Sequence, residues 1–278
     1  MKQDKVLQRE TVEVEHCSTR KMCPVGNVCG IKQPGERTPL LPDILPAEKG
    51  DILWLSQRYE RRVYIVRDGI FVCFAYCNEE CDMPFALFGR GIGTGLAELY
   101  LPQRLSEPYY LRALFPGHIC SLPAKPLKRR LEALPNHSGL KIMCYNFMSQ
   151  FTSVLTQSRI ISYKSLYDRV LLLFMSLKDL VERTGQDATR FGITHEEISK
   201  LVASERVSVT RVLHKMQDES LIELGYKTVT INFDAIQRAE PHGHPHTSFF
   251  AVGPDDESPR SPGNSAERDG VNTEKGRH

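Results

Sequence analysis

The chain has 278 residues and a mass of 31.6 kDa, enough for about two domains of ordinary size. Its composition, 41% hydrophobic and 25% charged with a net charge of +2, is typical of a soluble globular protein. The sequence contains no apolar run of the roughly 18 residues that a membrane-spanning helix needs, and its polar start lacks the apolar core of a secretory signal. These features exclude a membrane-embedded fold and predict a cytoplasmic protein.

Eight cysteines are present. In a reducing cytosol, thiols bind metals, sense redox state or pack in cores far more often than they form structural disulfides. The composition therefore favours metal or redox chemistry for the cysteines.

The first 135 residues divide into two segments. Residues 1–31 are polar and turn-rich, which predicts a loop-like arm, and this arm holds Cys17, Cys23 and Cys29. From residue 32 to residue 135, short β-rich runs alternate with glycine-containing breaks at Gly50, Asp68-Gly69 and Gly89–Gly95. This pattern predicts an antiparallel roll or barrel, with strands at Asp51–Leu55, Val63–Val66 and Ile70–Cys77.

Residues 136–163 are predicted to form one long helix. Apolar residues recur every seven positions, and further apolar or small residues fill the alternate positions of the same seam. Such a narrow stripe favours a partner helix in a second chain, although a core helix within one chain remains open. The seam consists of Leu140, Cys144, Phe147, Phe151, Val154 and Ile161.

Residues 164–240 are predicted to form a winged helix-turn-helix. A helix over 164–183 precedes Thr194, which stands before Glu196 and Glu197 in the capping arrangement of a helix start. A turn at 203–206 then leads into a second helix that ends near Glu219. The alternating residues on either side of Gly225 predict a hairpin over 221–231.

Residues 241–278 are rich in Pro, Gly, Ser and charge, so a disordered tail is expected. His242, His244 and His246 alternate in this tail and could bind a divalent metal, but an incidental polar tail is the better interpretation.

The segment EEISKLVASERVSVTRVLHKMQDESLI (196–222) resembles the DNA-binding signature of the CRP/FNR superfamily of bacterial transcription regulators along its whole length. EKGDILW (48–54) and VYIVRDGIF (63–71) are similar to the opening strands of the sensor domain of that family. The resemblance implies an α+β fold: an N-terminal β-roll (a double-stranded β-helix like that of cyclic-nucleotide-binding domains), a long dimerisation helix and a C-terminal winged helix-turn-helix. It further implies a homodimer that binds a pseudo-palindromic DNA operator and contacts RNA polymerase.

The resemblance also assigns the second helix of the motif to base recognition. The positions that read bases are Arg206, Val207 and Arg211, and arginine suits this role because it can donate two hydrogen bonds to guanine. Val207 departs from the family, whose members often carry an acidic residue there, so the half-site is expected to differ from the common one. Phosphate contacts are expected from Ser208, Thr210 and Lys215.

The resemblance predicts no cyclic nucleotide. Members that bind one use a glycine-acid turn followed by an Arg-Ser or Arg-Thr pair, whereas here Gly95–Glu98 is followed by a segment with no such pair. Arg112 alone could anchor an anion, but an exposed strand arginine is the preferred interpretation.

The cysteines of the arm resemble those of the oxygen-sensing FNR proteins, which hold an iron–sulfur cluster with three arm cysteines and one on the β-roll. Carried onto this chain, the ligand set of a [4Fe–4S] cluster is Cys17, Cys23, Cys29 and Cys120. The spacing departs from that of FNR proteins, because five residues separate the first two cysteines here. A four-cysteine zinc site and free thiols remain open as alternatives.

A second set, Cys73, Cys77 and Cys81, surrounds a predicted turn and could form a reversible redox pair, although packing on the roll is the commoner role. The sequence thus predicts a DNA-binding regulator that responds to redox state or oxygen and is not an enzyme. Three alternatives stay open: a regulator with a small organic effector in the β-roll, a cysteine-based oxidoreductase and a β-roll adaptor without DNA binding. The sequence contains no C-x-x-C pair and no nucleotide-binding glycine motif that would support the oxidoreductase alternative.

Overall fold

The computed structural model describes residues 17, 20–32, 38–54, 61–78, 81–100, 109–182 and 188–239. The predicted tail 241–278 and its histidines lie outside these ranges. Within the described ranges, no helix is both long enough and apolar enough to cross a membrane.

The N-terminal half is an antiparallel β-roll, as predicted. Its sheet has the strand order β1-β6-β3-β4, with β2 added on β6 and β5 on β3. A 3-10 turn, Ala97–Leu99, follows β5. The strands are β1 (Asp43–Ala47), β2 (Ile52–Trp54), β3 (Arg62–Asn78), β4 (Cys81–Phe88), β5 (Gly93–Thr94) and β6 (Tyr109–Pro123).

The predicted break at Asp68-Gly69 is wrong, because β3 runs through it as one strand paired with β6. The register shifts between Val66 and Phe71, so Gly69 accommodates a bulge rather than a turn. Gly69 has φ +81°, and a Cβ at this position would lie 2.6 Å from the carbonyl oxygen of Pro116. Only glycine therefore suits this crossing of the two long strands.

A helix absent from the sequence prediction, α1 (Ala124–Glu132), ends the β-roll segment. It buries Ala124, Leu127 and Leu131 at helical spacing. The expectation that β structure extends to residue 135 is therefore wrong at this end. α1 leads directly to the long helix α2 (Ser138–Ser162), which matches the predicted helix closely.

The C-terminal half contains the predicted helix-turn-helix and wing. Thr194 and Glu197 form the capping box that starts α4: the Thr194 hydroxyl accepts from the Glu197 amide and the Glu197 carboxylate accepts from the Thr194 amide. The structure adds two elements that the sequence did not predict, β7 and α6. The elements of this half are α3 (Leu166–Glu182), β7 (Arg190–Phe191), α4 (His195–Leu201), α5 (Arg206–Asp218), β8 (Ile222–Gly225), β9 (Thr228–Ile231) and α6 (Phe233–Ala239).

The two halves share one hydrophobic core. Apolar side chains of the roll, including Ile70 and Leu87, pack in the same cluster as Leu173 of α3. The Phe115 ring of β6 also stacks on the Phe191 ring of β7, with centroids 5.7 Å apart. The C-terminal half is therefore docked on the roll by apolar contact.

Candidate DNA interface and cysteine site

The outer face of α5 carries the predicted base-reading residues. Arg206, Val207 and Arg211 are all exposed, and Val207 has 60% of its surface accessible despite being apolar. On the opposite face, Val209, Leu213 and Met216 are buried against the rest of the motif. The helix thus presents two arginines and one apolar side chain around its first turn and a half.

The residues expected to contact phosphates differ in how exposed their side chains are. Lys215 is exposed, with its ammonium 3.9 Å from the Glu219 carboxylate. Ser208 and Thr210 are half-buried, and the Thr210 hydroxyl donates to the Arg206 carbonyl oxygen and contacts His195 Nδ1 at 3.0 Å. Thr210 therefore also joins α5 to α4.

Side chains of α2 and α3 hold the turn between α4 and α5. Gln157 Nε2 donates to the carbonyl oxygen of Leu201 at 2.6 Å, and Arg169 Nη1 donates to that of Val202 at 3.3 Å. Ala203 has φ +48°, so the chain reverses there in the left-handed region. These hydrogen bonds fix the angle at which α5 leaves the turn.

The seam of α2 is exposed in the single chain. Leu140, Phe147, Phe151, Val154 and Ile161 have exposed fractions from 36% to 60%, and Cys144 is exposed as well. The Phe147 and Phe151 rings stack with their centroids 6.2 Å apart. These side chains do not form a core within one chain, which was the alternative left open.

The buried face of α2 is instead largely polar. Asn146 Oδ1 accepts from the Gly93 amide at 3.1 Å, and the Ser153 hydroxyl donates to the Leu87 carbonyl oxygen. Gln150 likewise donates to the Gly93 carbonyl oxygen. α2 is therefore fixed to the roll by hydrogen bonds while its apolar face points outward.

The four predicted cluster ligands line one cavity. Cys17, Cys23 and Cys29 approach from the arm, and Cys120 approaches from β6. The cavity has a volume of about 30 Å³, and its other walls include Val25, Ile44, Ile65 and Leu122. The structure thus brings together residues that are as much as 103 positions apart in the sequence.

The cavity is an apolar environment with nearby cations. Burial and, to a lesser extent, the negative charge of the Cys17 thiolate raise the pKa of the Cys29 thiol to about 11 and that of the Cys120 thiol to about 12. The positive charges of Arg130 and Arg20 partly offset this rise in the pKa of Cys29, and the positive charge of Arg67 partly offsets the rise in the pKa of Cys120. Arg20 and Arg67 themselves line the cavity.

The four cysteines share the walls of this one cavity. Across the described residues, no group of three or more His, Cys, Asp or Glu side chains has the spacing to hold a single metal ion. The donor chemistry nevertheless fits an iron–sulfur cluster, which takes four thiolates and places several irons between them.

The second cysteine set is only partly described. Cys73 is fully buried on β3, and burial raises its pKa. In the β3–β4 pairing, Asn78 rather than Cys77 is opposite Cys81. The side chains of Cys77 and Cys81 lie outside the described part of the chain, so their redox pairing stays a prediction.

The region where a nucleotide phosphate would be expected holds an internal polar network. The Tyr109 hydroxyl donates to Glu98 Oε1 at 3.0 Å and contacts the Thr94 hydroxyl. Arg112 is half-buried, with its guanidinium 4.8 Å from the centre of the Phe74 ring. The prediction that Arg112 is an exposed strand residue is therefore wrong, because a cation–π contact covers it.

The sequence did not single out Arg130, which is only 2% exposed. Its guanidinium donates to the carbonyl oxygens of Val28, at 2.8 Å, and Ile31, on either side of Cys29. The charged run Lys128-Arg129-Arg130 concealed this role, although the apolar spacing of α1 would have placed Arg130 beside the buried face.

Comparisons with known proteins agree with this architecture. A family model described as the Crp-like helix-turn-helix domain matches residues 169–239. A global nitrogen regulator from Synechococcus elongatus is 20% identical over 186 residues, which cover 66% of this chain and 83% of that protein. One from Synechocystis is 21% identical over 175 residues, covering 62% of this chain and 76% of that protein.

Solved structures show the same fold. A CRP-family transcriptional regulator from Thermus thermophilus superposes with a TM-score of 0.55 and 20% identity, over 69% of this chain and 94% of that one. FixK2 from Bradyrhizobium japonicum gives a TM-score of 0.57 and 12% identity, over 74% of this chain and all of that one. The chain therefore carries a Crp-like helix-turn-helix domain at residues 169–239 and shares the overall fold of these proteins.

Proposed function

We propose that this regulator is a homodimer that binds a pseudo-palindromic DNA operator in the cytoplasm and responds to oxygen or redox state through Cys17, Cys23, Cys29 and Cys120. The observation that carries the proposal is the joint placement of these cysteines on one cavity and of the two arginines on the free face of α5.

Base reading is assigned to the first turns of α5. Arg206 and Arg211 are exposed cations that can each donate two hydrogen bonds to a guanine, which discriminates by about 1–3 kcal/mol. Val207 offers apolar contact to a thymine methyl group. Lys215, and the less accessible Ser208 and Thr210, are assigned to the phosphates, where they fix register.

The dimer is assigned to the seam of α2. A monomer rarely exposes a contiguous apolar stripe of this kind, and two such stripes can pack as a parallel coiled coil. Two α5 helices related by this axis would enter successive major grooves about 34 Å apart. RNA polymerase is the partner expected for a regulator bound to such an operator.

The cysteine site is assigned to a [4Fe–4S] cluster. The four thiols line one cavity, four thiolates are the donor set that such a cluster takes, and a cluster held by four thiolates is an anion. The arginines that oppose the raised thiol pKa values favour such an anion. When bound, the cluster would supply oxygen-sensitive redox chemistry.

Signalling is assigned to the contacts between the cysteine segment, α1 and α2. Val25 and Val28 of the arm share a hydrophobic cluster with Leu131 of α1 and Ile142 of α2. A change in the arm would therefore reach the base of the dimer helix. α2 in turn contacts the DNA-binding motif through Gln157.

The test is an anaerobic purification followed by an absorbance spectrum and assays of iron and acid-labile sulfide, before and after air. The proposal predicts a brown protein with roughly four irons per chain that bleaches in air. Serine substitution of Cys29 or Cys120 should abolish the colour, whereas Cys144→Ser should retain it. A colourless, metal-free protein would contradict the cluster assignment and leave the DNA-binding assignment standing.

A further inference from the structure

We propose that Arg130 is a positioning residue of the cysteine site, where its guanidinium holds the backbone on both sides of Cys29 and keeps this thiol at the cavity that it shares with Cys120. The inference rests on the proposed function in taking the cavity to be a ligand site, but it concerns a residue outside the ligand set.

Arg130 makes two hydrogen bonds to the backbone of the Cys29 loop. Arg130 donates through Nη1 to the carbonyl oxygens of Val28 and Ile31, which bracket Cys29 in the sequence. The intervening Gly30 has φ +74°, and its amide donates to the Leu40 carbonyl oxygen at 2.8 Å. The Cys29 loop is thus held from α1 on one side and from the start of the roll on the other.

The guanidinium of Arg130 is a buried positive charge. A cation that is only 2% exposed is costly unless hydrogen bonds satisfy it, and here backbone carbonyl oxygens of the arm supply acceptors. Removing the guanidinium leaves those carbonyls without this donor. The loop would then lose its anchor while the apolar contacts of Val25 and Val28 remain.

The helix that carries Arg130, α1, also packs closely against the start of α2. Gly139 lies in the first turn of α2, and a Cβ there would stand 2.3 Å from the Leu131 carbonyl oxygen. The end of α1 therefore touches the backbone of α2 one residue after Arg130. The position of Cys29 and the start of α2 are fixed by the same short helix.

The experiment compares Arg130→Met with Arg129→Met, a matched control because Arg129 is the exposed neighbour on the same helix. Alkylation of each cysteine in the metal-free full chain is followed by mass spectrometry, with the fully buried Cys73 reporting general unfolding. Arg130→Met should speed alkylation of Cys29 at least about tenfold relative to the control and leave Cys73 slow. Unchanged Cys29 reactivity would overturn the inference.

Arg130→Lys keeps the charge but lacks the planar fork, so it should raise Cys29 reactivity by less than Arg130→Met does. If Arg130→Met exposes Cys73 as well, this milder variant decides, and an unchanged Cys29 rate in it would count against the role of Arg130.

Anaerobic reconstitution with ferrous iron and sulfide provides the second measurement. Arg130→Met should retain less iron than wild type after gel filtration, and Arg129→Met should retain as much. Equal retention in all three proteins would count against the positioning role. If the wild type binds no iron but Arg130→Met still exposes Cys29, the cluster assignment fails while the positioning role stands.

Discussion

Lys49 of the β-roll reaches the capping residue of the DNA-binding motif: its Nζ atom lies 2.8 Å from Oε2 of Glu197. The same Glu197 oxygen accepts a hydrogen bond from the Thr194 amide, at 2.7 Å, in the capping box of α4. Lys49 also donates to the Gly192 carbonyl oxygen. One cation of the β-roll therefore contacts both the loop before α4 and the cap that starts it.

This relationship predicts unequal effects of its two partners. Lys49→Met should lower the free energy of unfolding by less than about 1 kcal/mol, because the pair is partly exposed. Glu197→Ala should cost more, about 1 kcal/mol or above, because it removes the acceptor of the capping box as well. Urea unfolding of both single variants and the double variant measures the coupling, and a Lys49→Met effect equal to that of Glu197→Ala would contradict the geometry.

Arg206→Ala and Arg211→Ala should each weaken operator binding by about 1–3 kcal/mol, which is about 5-fold to 150-fold in Kd. Both side chains are exposed, so the free energy of unfolding should change by no more than about 0.5 kcal/mol. Fluorescence anisotropy with a selected operator, at one stated salt concentration, checks the prediction. Retained affinity in the double variant would contradict base reading by Arg206 and Arg211.

Val207→Glu should change the preferred half-site without abolishing binding. A carboxylate at this exposed position can accept a hydrogen bond from the cytosine amino group, whereas valine can contact only a thymine methyl group. Selection of binding sites from a random DNA library by both proteins measures the change. The same preferred base for both proteins would show that residue 207 does not face the bases.

Phe147→Glu should raise the dimer dissociation constant at least about 100-fold, because pairing would bury a carboxylate in an apolar seam. The folded monomer should persist, since Phe147 is 56% exposed in the single chain. Sedimentation equilibrium checks this, with Lys141→Glu as the control that places a carboxylate on the same helix outside the seam.

The register of the seam has its own readout. Cys144 is exposed on the stripe and would face its symmetry mate in a parallel pair, so mild oxidation should cross-link two wild-type chains and leave Cys144→Ser uncross-linked. A monomeric wild type that yields no cross-link would exclude this dimer.

The stability of the free protein should depend on His195 at mildly acidic pH. Partial burial, together with the positive charges of His214 and Arg206, lowers the pKa of His195. As pH falls through the ordinary histidine value of 6.5, the unfolded chain takes up a proton that the folded chain resists, so this contribution to stability is lost. His195→Gln should narrow the difference in urea midpoint between pH 7.5 and pH 5, and an unchanged difference would contradict the assignment.

The elements with strong local patterns could be predicted from the sequence. The Thr194 capping box marked the start of α4, and the seven-residue repeat marked both the length of α2 and its outward face. The hairpin of the wing followed from alternation around Gly225. In each case the local pattern and the tertiary environment agree.

Other features depended on contacts between distant residues. The Asp68-Gly69 pair was predicted to be a break between strands, but Gly69 and Gly117 instead let two long strands cross closely. Arg130 sits in a charged run that reads as a solvated face, and only the fold reveals the arm carbonyls that bury it. The cavity that joins Cys29 with Cys120 could be anticipated by family resemblance and not by local spacing.

The most direct test of the whole account is the affinity of the anaerobically purified wild-type protein for its selected operator, measured before and after exposure to air. The account predicts tight binding to a two-half-site operator without oxygen and a loss of at least about tenfold in affinity after air, with binding by Cys29→Ser insensitive to air. Equal affinity for the operator before and after air in the wild type would contradict the link between the cysteine site and DNA binding.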